Sequence, residues 1–364
     1  MTRHWAMSLF NEGMTTMTVD YSALTTRLSK AEVAAYRAQS KASRAPWASL
    51  TPGTTVFLVF LSSVGVILLL VFAGFAVAGV VSVVRGSGNL SLLVPGVLVL
   101  IVAALAVAGA RRAIKLGNGP WARRARIARF ARANGMRYSP VQKAPDYPGM
   151  IFQTGRDRVV IDRVTTTNDR PVDMGNFRCV RGPEGVRTTH TWGYIALQLD
   201  RKLPNIVLDP KAKTTILGSS LPGALDKSQV LHLEGDFDRY FTLYCPADYE
   251  RDALYIFTPD LMALLVDNAA PFAVELIDTW MLIYAPGMFD MTKPATLRRL
   301  FTIADKVGVK ALHQTKNYAD SRAGGFDANT VAPEGARLKR GVRVAVIVVL
   351  AIMLLLALLW AFAR

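Results

Sequence analysis

The sequence predicts an α+β protein: three transmembrane helices, an N-terminal hairpin plus a C-terminal span, with a cytoplasmic antiparallel-sheet domain packed by helices. Three observations predict it. The runs Thr55 to Val84, Leu90 to Ala110 and Val344 to Ala363 carry no charged residue, and each reaches the roughly 20 residues that a bilayer core demands. An apolar content of 51% and a mean hydropathy of +0.26 are high for an ordinary soluble chain. Between residues 138 and 320, β-branched and aromatic runs bounded by Gly, Pro or Asp come first and helical periods later.

Residues 1–54 are expected to form a cytoplasmic N-terminal segment. Its opening twenty residues show no helical or strand period, and Met17 is a plausible start of translation beside Met1, Met7 and Met14. Ser29 and Glu32 fit a capping box ahead of AAYRAQ and predict a short helix. Residues 55–110 follow as a helical hairpin around RGSGN. Its first run starts more than fifty residues in and is about twice as long as a signal-peptide apolar region, which argues against cleavage. Gly65, Gly74 and Gly79 allow close packing of the two helices. The hairpin has only Arg85 between its runs, whereas Arg27, Lys30, Arg37, Lys41 and Arg44 precede it. Basic residues stay inside, so the expected protein is multi-pass in a bacterial plasma membrane, with N-terminus and central domain cytoplasmic and C-terminus outside.

A net charge of +16 raises the question of nucleic acid. Its distribution argues against it. Residues 138–341 carry 25 basic and 24 acidic groups, nearly neutral, while residues 111–137 carry 9 basic groups and no acidic one. The excess reads as attraction to anionic headgroups of the lipid bilayer, and Arg111, Arg112, Lys115, Arg123, Arg124, Arg126, Arg129 and Arg132 are the candidate membrane-surface residues. Within this basic juxtamembrane segment, Pro120 starts a helix and Asn134 with Gly135 stops it. Its arginines point around most of the circumference, leaving Ile127, Phe130 and Ala131 as a narrow apolar stripe. The expectation is a connector lying on a surface.

In the domain 138–320, strands are predicted at Arg158 to Val164, Asn176 to Arg181, His190 to Asp200 and Asn205 to Asp209. AKTTILGSSLPGALDKSQ reads as a loop, QVLHL and RYFTLYC as two strands, and TPDLMALLVDNAA as a helix with Thr258 at its N-cap. PFAVELID and WMLIYAP read as a hairpin turning at Asp278 and Thr279, and KPATLRRLFTIADKVG as a closing amphipathic helix. Residues 321–343, rich in small residues, read as a flexible tether into the last span at 344–363.

Motifs of familiar chemistry are missing from the sequence: there is no GxxxxGK[ST], GxGxxG after a strand, HExxH or GxSxG. Cys179 and Cys245 stand 66 positions apart in predicted strands and read as buried apolar residues. One constellation remains, LHLEGDFDRY, in which His232, Glu234, Asp236 and Asp238 fall at every second position and form a weak candidate metal site. Gly235 interrupts that period, and EGD between apolar strands is ordinary turn chemistry. No catalytic residue and no cofactor are therefore expected.

FARANGMRY, GYIALQLDRKLPNIVLD and LEGDFDRYFTLYCPADYERDALYIFTPDLMALL together resemble a group of uncharacterised bacterial membrane proteins, mostly actinobacterial. That resemblance implies a membrane-tethered α+β domain without established catalytic residues. The leading functional expectation is a membrane-anchored binding or scaffold domain at the inner leaflet and not an enzyme. Alternatives are a metal-dependent hydrolase using His232, Glu234 and Asp236, and an accessory subunit of a membrane transport complex.

Overall fold

The computed structural model describes residues 18–42, 74, 77, 79–81, 84–85, 119–183, 185–211, 221–233 and 235–341. Among them no helix is long and apolar enough to cross a membrane. This corrects the expected fold class with its three transmembrane helices, and with it the multi-pass localisation. The runs expected to span lie outside the described residues, apart from scattered positions of the first.

The chain divides into two compact units, Met1–Thr26 with Ile127–Arg364, and Arg27–Arg126. In the second of these, the helix Lys30–Ala42 begins at a capping box. The Ser29 amide donates to Glu32 Oε2 at 2.7 Å and the Glu32 amide donates to Ser29 Oγ at 3.1 Å, so two otherwise orphaned donors are satisfied. Trp121 packs edge-on against Tyr36, with ring centroids 6.4 Å apart. The guanidinium carbons of Arg37 and Arg124 each lie 5.5 Å from its ring centroid. Arg124, expected to meet headgroups, is thus engaged with an aromatic face.

The first unit is built on a seven-stranded antiparallel sheet: β1 (Arg137–Lys143), β2 (Arg156–Thr165), β3 (Val172–Arg181), β4 (Thr188–Pro210), β5 (Val230–Leu231), β6 (Phe241–Tyr244) and β7 (Ala273–Pro286). The order is β1-β2-β3-β4-β6-β5, with β7 also paired to β4. β4 is the spine. Its first half pairs with β3 through Thr188–Leu197 and its last residues with β6 through Val207–Pro210, while β7 runs along the opposite edge.

Two expected breaks are absent. The segments His190 to Asp200 and Asn205 to Asp209 form one strand of 23 residues, and Ala273–Pro286 is one strand of 14 residues with no hairpin. Both strands bend where the breaks were expected. Between Gln198↔Trp280 and Leu203↔Asp278, residues 199–202 of β4 bulge opposite Thr279 alone, and Asp278 takes φ 53°. Pro204, which cannot donate to a ladder, falls in the next irregularity, between Leu203↔Asp278 and Ile206↔Leu276. The bulges absorb the residues that locally favour turns, and pairing resumes beyond them.

Helices cover one face of the sheet. Alternate strand residues Met174, Ile195, Leu197, Ile206 and Leu208 are buried against side chains of the helices Glu250–Ile256, Pro259–Ala269 and Pro294–Thr302. The last of these continues through a π-helical turn, Ile303–Gly308, into Val309–Thr315. Gly308 lies against Leu197, where an added Cβ would stand 2.8 Å from Leu197 Cδ1. The helix over 119–133 adds Ile127, Phe130 and Ala131 to this core, each at most 1% exposed. That narrow stripe buries fully, which corrects the expectation of a surface-lying connector.

The helix stops as its sequence signals, with Gly135 at φ 64°. Asn134 closes the end: its Nδ2 donates to the Phe130 carbonyl at 2.9 Å and to the Asp20 carbonyl at 2.9 Å, and its Oδ1 accepts from the Asp20 amide at 2.7 Å. Arg129 donates to the carbonyls of Ala23 and Thr26, and Tyr21 stacks on Phe130 with centroids 5.9 Å apart. Residues 20–26 are therefore tied to this helix, chiefly through their backbone carbonyls.

The segment expected to be a flexible tether also folds onto the domain as far as Gly341. Lys202 donates its amide to Asn329 Oδ1 at 2.9 Å, the Arg201 guanidinium lies 3.9 Å from the Phe326 ring centroid, and Leu225 bridges Arg340. Phe130→Ala is expected to destabilise the chain by about 3–5 kcal/mol in urea unfolding, the usual cost of emptying a buried aromatic site. Arg132→Ala, at an exposed position of the same helix, is expected to stay within about 0.5 kcal/mol of wild type.

Candidate functional site

The sheet face opposite the helices carries a second, aromatic core: Tyr147, Phe152, Phe177, Trp192, Tyr194 and Tyr284. The connection 144–154 lies across it. Two carboxylates point from the strands into this layer, since Asp173 pairs with Ala196 and Glu275 with Val207, both members of that core. They are 3% and 1% exposed. A buried carboxylate is costly unless its oxygens are satisfied, and here they are.

Asp173 Oδ2 accepts from Tyr147 Oη at 2.5 Å and from Arg163 at 2.8 Å; its Oδ1 accepts from Arg163 Nε at 2.8 Å and from Tyr194 Oη at 3.2 Å. Burial first, then the Asp173 charge, pushes the Tyr147 and Tyr194 hydroxyls far above their ordinary range, so both remain protonated donors. Glu275 Oε2 accepts from Tyr284 Oη at 2.7 Å and from the Met150 amide at 2.9 Å, and Oε1 accepts from Asn205 Nδ2 at 3.0 Å. Asn205 falls in a bulge of β4, and its Oδ1 accepts from the Leu338 amide at 3.1 Å. The connection reaches Glu275 because residue 149 is glycine. A Cβ there would lie 2.0 Å from Tyr284 Oη and 2.2 Å from Leu282 Cδ1.

A third buried carboxylate, Asp320, holds the segment after the last long helix. Its Oδ2 accepts from Tyr249 Oη at 2.6 Å and from the Ala332 amide at 3.0 Å, and its Oδ1 accepts from the amide and guanidinium of Arg322, each at 3.0 Å. Arg322 reaches on to Asp252 Oδ2 at 2.9 Å and lies 4.0 Å from the Tyr249 ring centroid. All three carboxylates thus spend their acceptors on donors of the same chain, several of them backbone amides. Chemically this arrangement fastens segments together; it leaves these oxygens engaged.

LHLEGDFDRY is a strand end, a turn and one helical turn that leads into a strand, where the sequence predicted the strand to begin directly after the turn. His232 and Leu233 follow β5, Gly235 takes φ 75°, one helical turn occupies Phe237–Tyr240, and β6 begins at Phe241. His232 Nδ1 lies 2.7 Å from Asp238 Oδ2, with the histidine side chain 81% exposed. Asp236 instead faces Arg239 at 3.2 Å. The structure brings His232 to Asp238 and directs Asp236 elsewhere; Glu234 lies outside the described residues. Among the described residues, no group of three His, Cys, Asp or Glu side chains could hold a metal. Of the candidate membrane-surface residues, Arg124 and Arg129 have the internal partners given above, and Arg132 is exposed. Arg111, Arg112 and Lys115 lie outside the described residues. Cys179 and Cys245 are buried free thiols, and burial pushes Cys245 up to about 12.

Asp173, Glu275 and Asp320 escaped the sequence reading because several of their partners, Tyr147, Met150 and Tyr249 among them, are remote in the chain. The signal available was a carboxylate inside an apolar strand run, as in AVELI at Ala273–Ile277.

No family model matches the chain, and no curated protein matches it. Among solved structures, the crystal structure of the mycobacterial trehalose monomycolate transport factor A matches at 14% identity over 49% of this chain and 90% of that chain, with a TM-score of 0.32. At that score the likeness carries no functional argument.

Burial raises the Glu275 carboxyl above its ordinary value. For Asp320, burial pushes up, but the bonds from Tyr249, the Ala332 and Arg322 amides and the Arg322 side chain outweigh it and hold the carboxyl below its ordinary value. These shifts have opposite consequences for stability. Asp320 contributes stability above its unfolded value near 3.8, lost as pH falls through the still lower folded value. Glu275 imposes a cost that grows as pH rises from 4.5 through its raised folded value, and acid removes it. In urea unfolding between pH 3 and 7, the destabilisation by Asp320→Asn, about 2–3 kcal/mol at neutral pH, is expected to shrink in acid, while that by Glu275→Gln grows.

Proposed function

We propose that the chain is a binding or scaffold domain and not a catalyst. The observation that carries this reading is the use made of three of the buried carboxylates. Asp173, Glu275 and Asp320 each accept hydrogen bonds from tyrosine hydroxyls of the chain itself, and Glu275 and Asp320 also hold backbone amides. A general acid or base has to exchange protons with a substrate and needs an oxygen free to reach it. These oxygens instead hold the connection 144–154 and the segment 320–332 in place, which makes a rigid platform.

The metal-dependent hydrolase finds less support. His232 stands on the surface, paired to one carboxylate, and Asp236 turns to Arg239. A hydrolytic centre needs several ligands converging on one point and an open coordination position.

Elemental analysis of the full chain, purified without chelator and dialysed, separates the two readings. Divalent metal well below one equivalent is expected, unchanged in His232→Ala. One equivalent of metal that His232→Ala removes would overturn the binding-domain reading in favour of the hydrolase.

A further inference from the structure

Among the described residues, the helices cover only the inner part of their sheet face. Val164, Met174, Ile195 and Leu197 are buried there. Toward the far ends of β1, β2 and β3 the same face continues in paired rows. Val141 stands opposite Ile161, and Ile161 opposite Asn176; Lys143 stands opposite Val159, Val159 opposite Arg178, and Arg178 opposite Thr191; Arg156 stands opposite Val180, and Val180 opposite Thr189. Residues directly opposed across antiparallel strands share a side of the sheet, so these rows form one surface.

Val141, Val159, Ile161 and Val180 are half-buried on it and belong to neither core, while Lys143, Arg156 and Arg178 are exposed. β-branched side chains on a pleated face are what a helix packs against, as the domain's own helices do further along the same strands. The rows carry three cations and no carboxylate. Asp157, beside Arg156, sits at a bulge with φ 54°.

We propose that this outer face of β1–β3 docks an acidic amphipathic helix of a partner protein. The proposal rests on the reading of the chain as a binding domain. The apolar stripe of such a helix would cover Val141, Val159, Ile161 and Val180, and its flanking carboxylates would meet Lys143, Arg156 and Arg178. A second copy of this chain, docked by the same face, would bring the same cations against each other. A bilayer surface would draw on the cations alone, because half-buried valines on a rigid sheet do not reach the acyl region.

Site-specific photo-crosslinking of the full chain in its native cells tests this, with a benzoylphenylalanine at position 159, at position 178 in a second variant, and at Val186, on the β3–β4 turn, in a third. The expected result is an adduct from positions 159 and 178 whose crosslinked peptide, sequenced by mass spectrometry, is rich in Asp and Glu with apolar residues every three or four positions. Adding Lys143→Glu and Arg156→Glu to the position-159 variant is expected to lower the yield at least tenfold, with an unchanged circular dichroism spectrum. Adducts from 159 and 178 on phospholipid, on another copy or on a non-acidic segment would overturn the proposal. An acidic partner caught only from position 186 would overturn the surface and keep the binding domain. No protein adduct from any of the three would overturn both.

Discussion

Everything in the sheet domain depends on β4 continuing through its bulges. A strand of 23 residues carries β3 and β6 on one edge and β7 on the other, so it joins the two halves of the sheet. If the chain turned back near Lys202–Pro204, the pairs Ile206↔Leu276 to Leu208↔Val274 would be lost and Asn205 would no longer face Glu275. The bulge that keeps the ladder going also aims Asn205, whose side-chain oxygen accepts from the Leu338 amide. Strand continuity and the fastening of the connection 144–154 are therefore one constraint.

The polar chemistry of this domain is turned inward. Carboxylates in an apolar layer are tolerated only when enough donors converge on them, and the donors here come from segments distant in sequence. Tyr147 reaches Asp173 across 26 residues, Met150 reaches Glu275 across 125 and Tyr249 reaches Asp320 across 71. Asp173 and Glu275 each close a long loop of chain onto the sheet, and Asp320 ties its own segment to Tyr249. Such a device gives a firm frame, and among the described residues it leaves the outer face of β1–β3, with its valines and cations, without a helix packed on it.

Local signals were legible where they act locally. Asn134 and Gly135 end the helix over 119–133, Ser29 and Glu32 form their capping box, Thr258 and Pro259 open a helix, and the turn at Gly235 joins β5 to β6. Pro204 and Asp278 were misleading for the same reason: each favours a break by itself, and only pairing between β4 and β7 overrides it. Arg129 reads as one more surface charge until the carbonyls of Ala23 and Thr26 are brought to it. Tyr147 and Met150, as partners of Asp173 and Glu275, were not readable, because hydrogen bonds over such separations leave no spacing in the sequence. The expected spans failed differently, since hydrophobic length alone predicted them and no described helix has the length and apolarity to cross a membrane.

Asp173, Glu275 and Asp320 act as fasteners of a rigid frame. Amide hydrogen exchange of the full chain, read by mass spectrometry in wild type and Glu275→Gln, tests this most directly. Faster exchange is predicted across residues 144–154 in the variant, led by Met150, with β2 and β3 protected as in wild type. Unchanged exchange in 144–154, with the variant folded and as stable as wild type, would contradict the account and free Glu275 for another role.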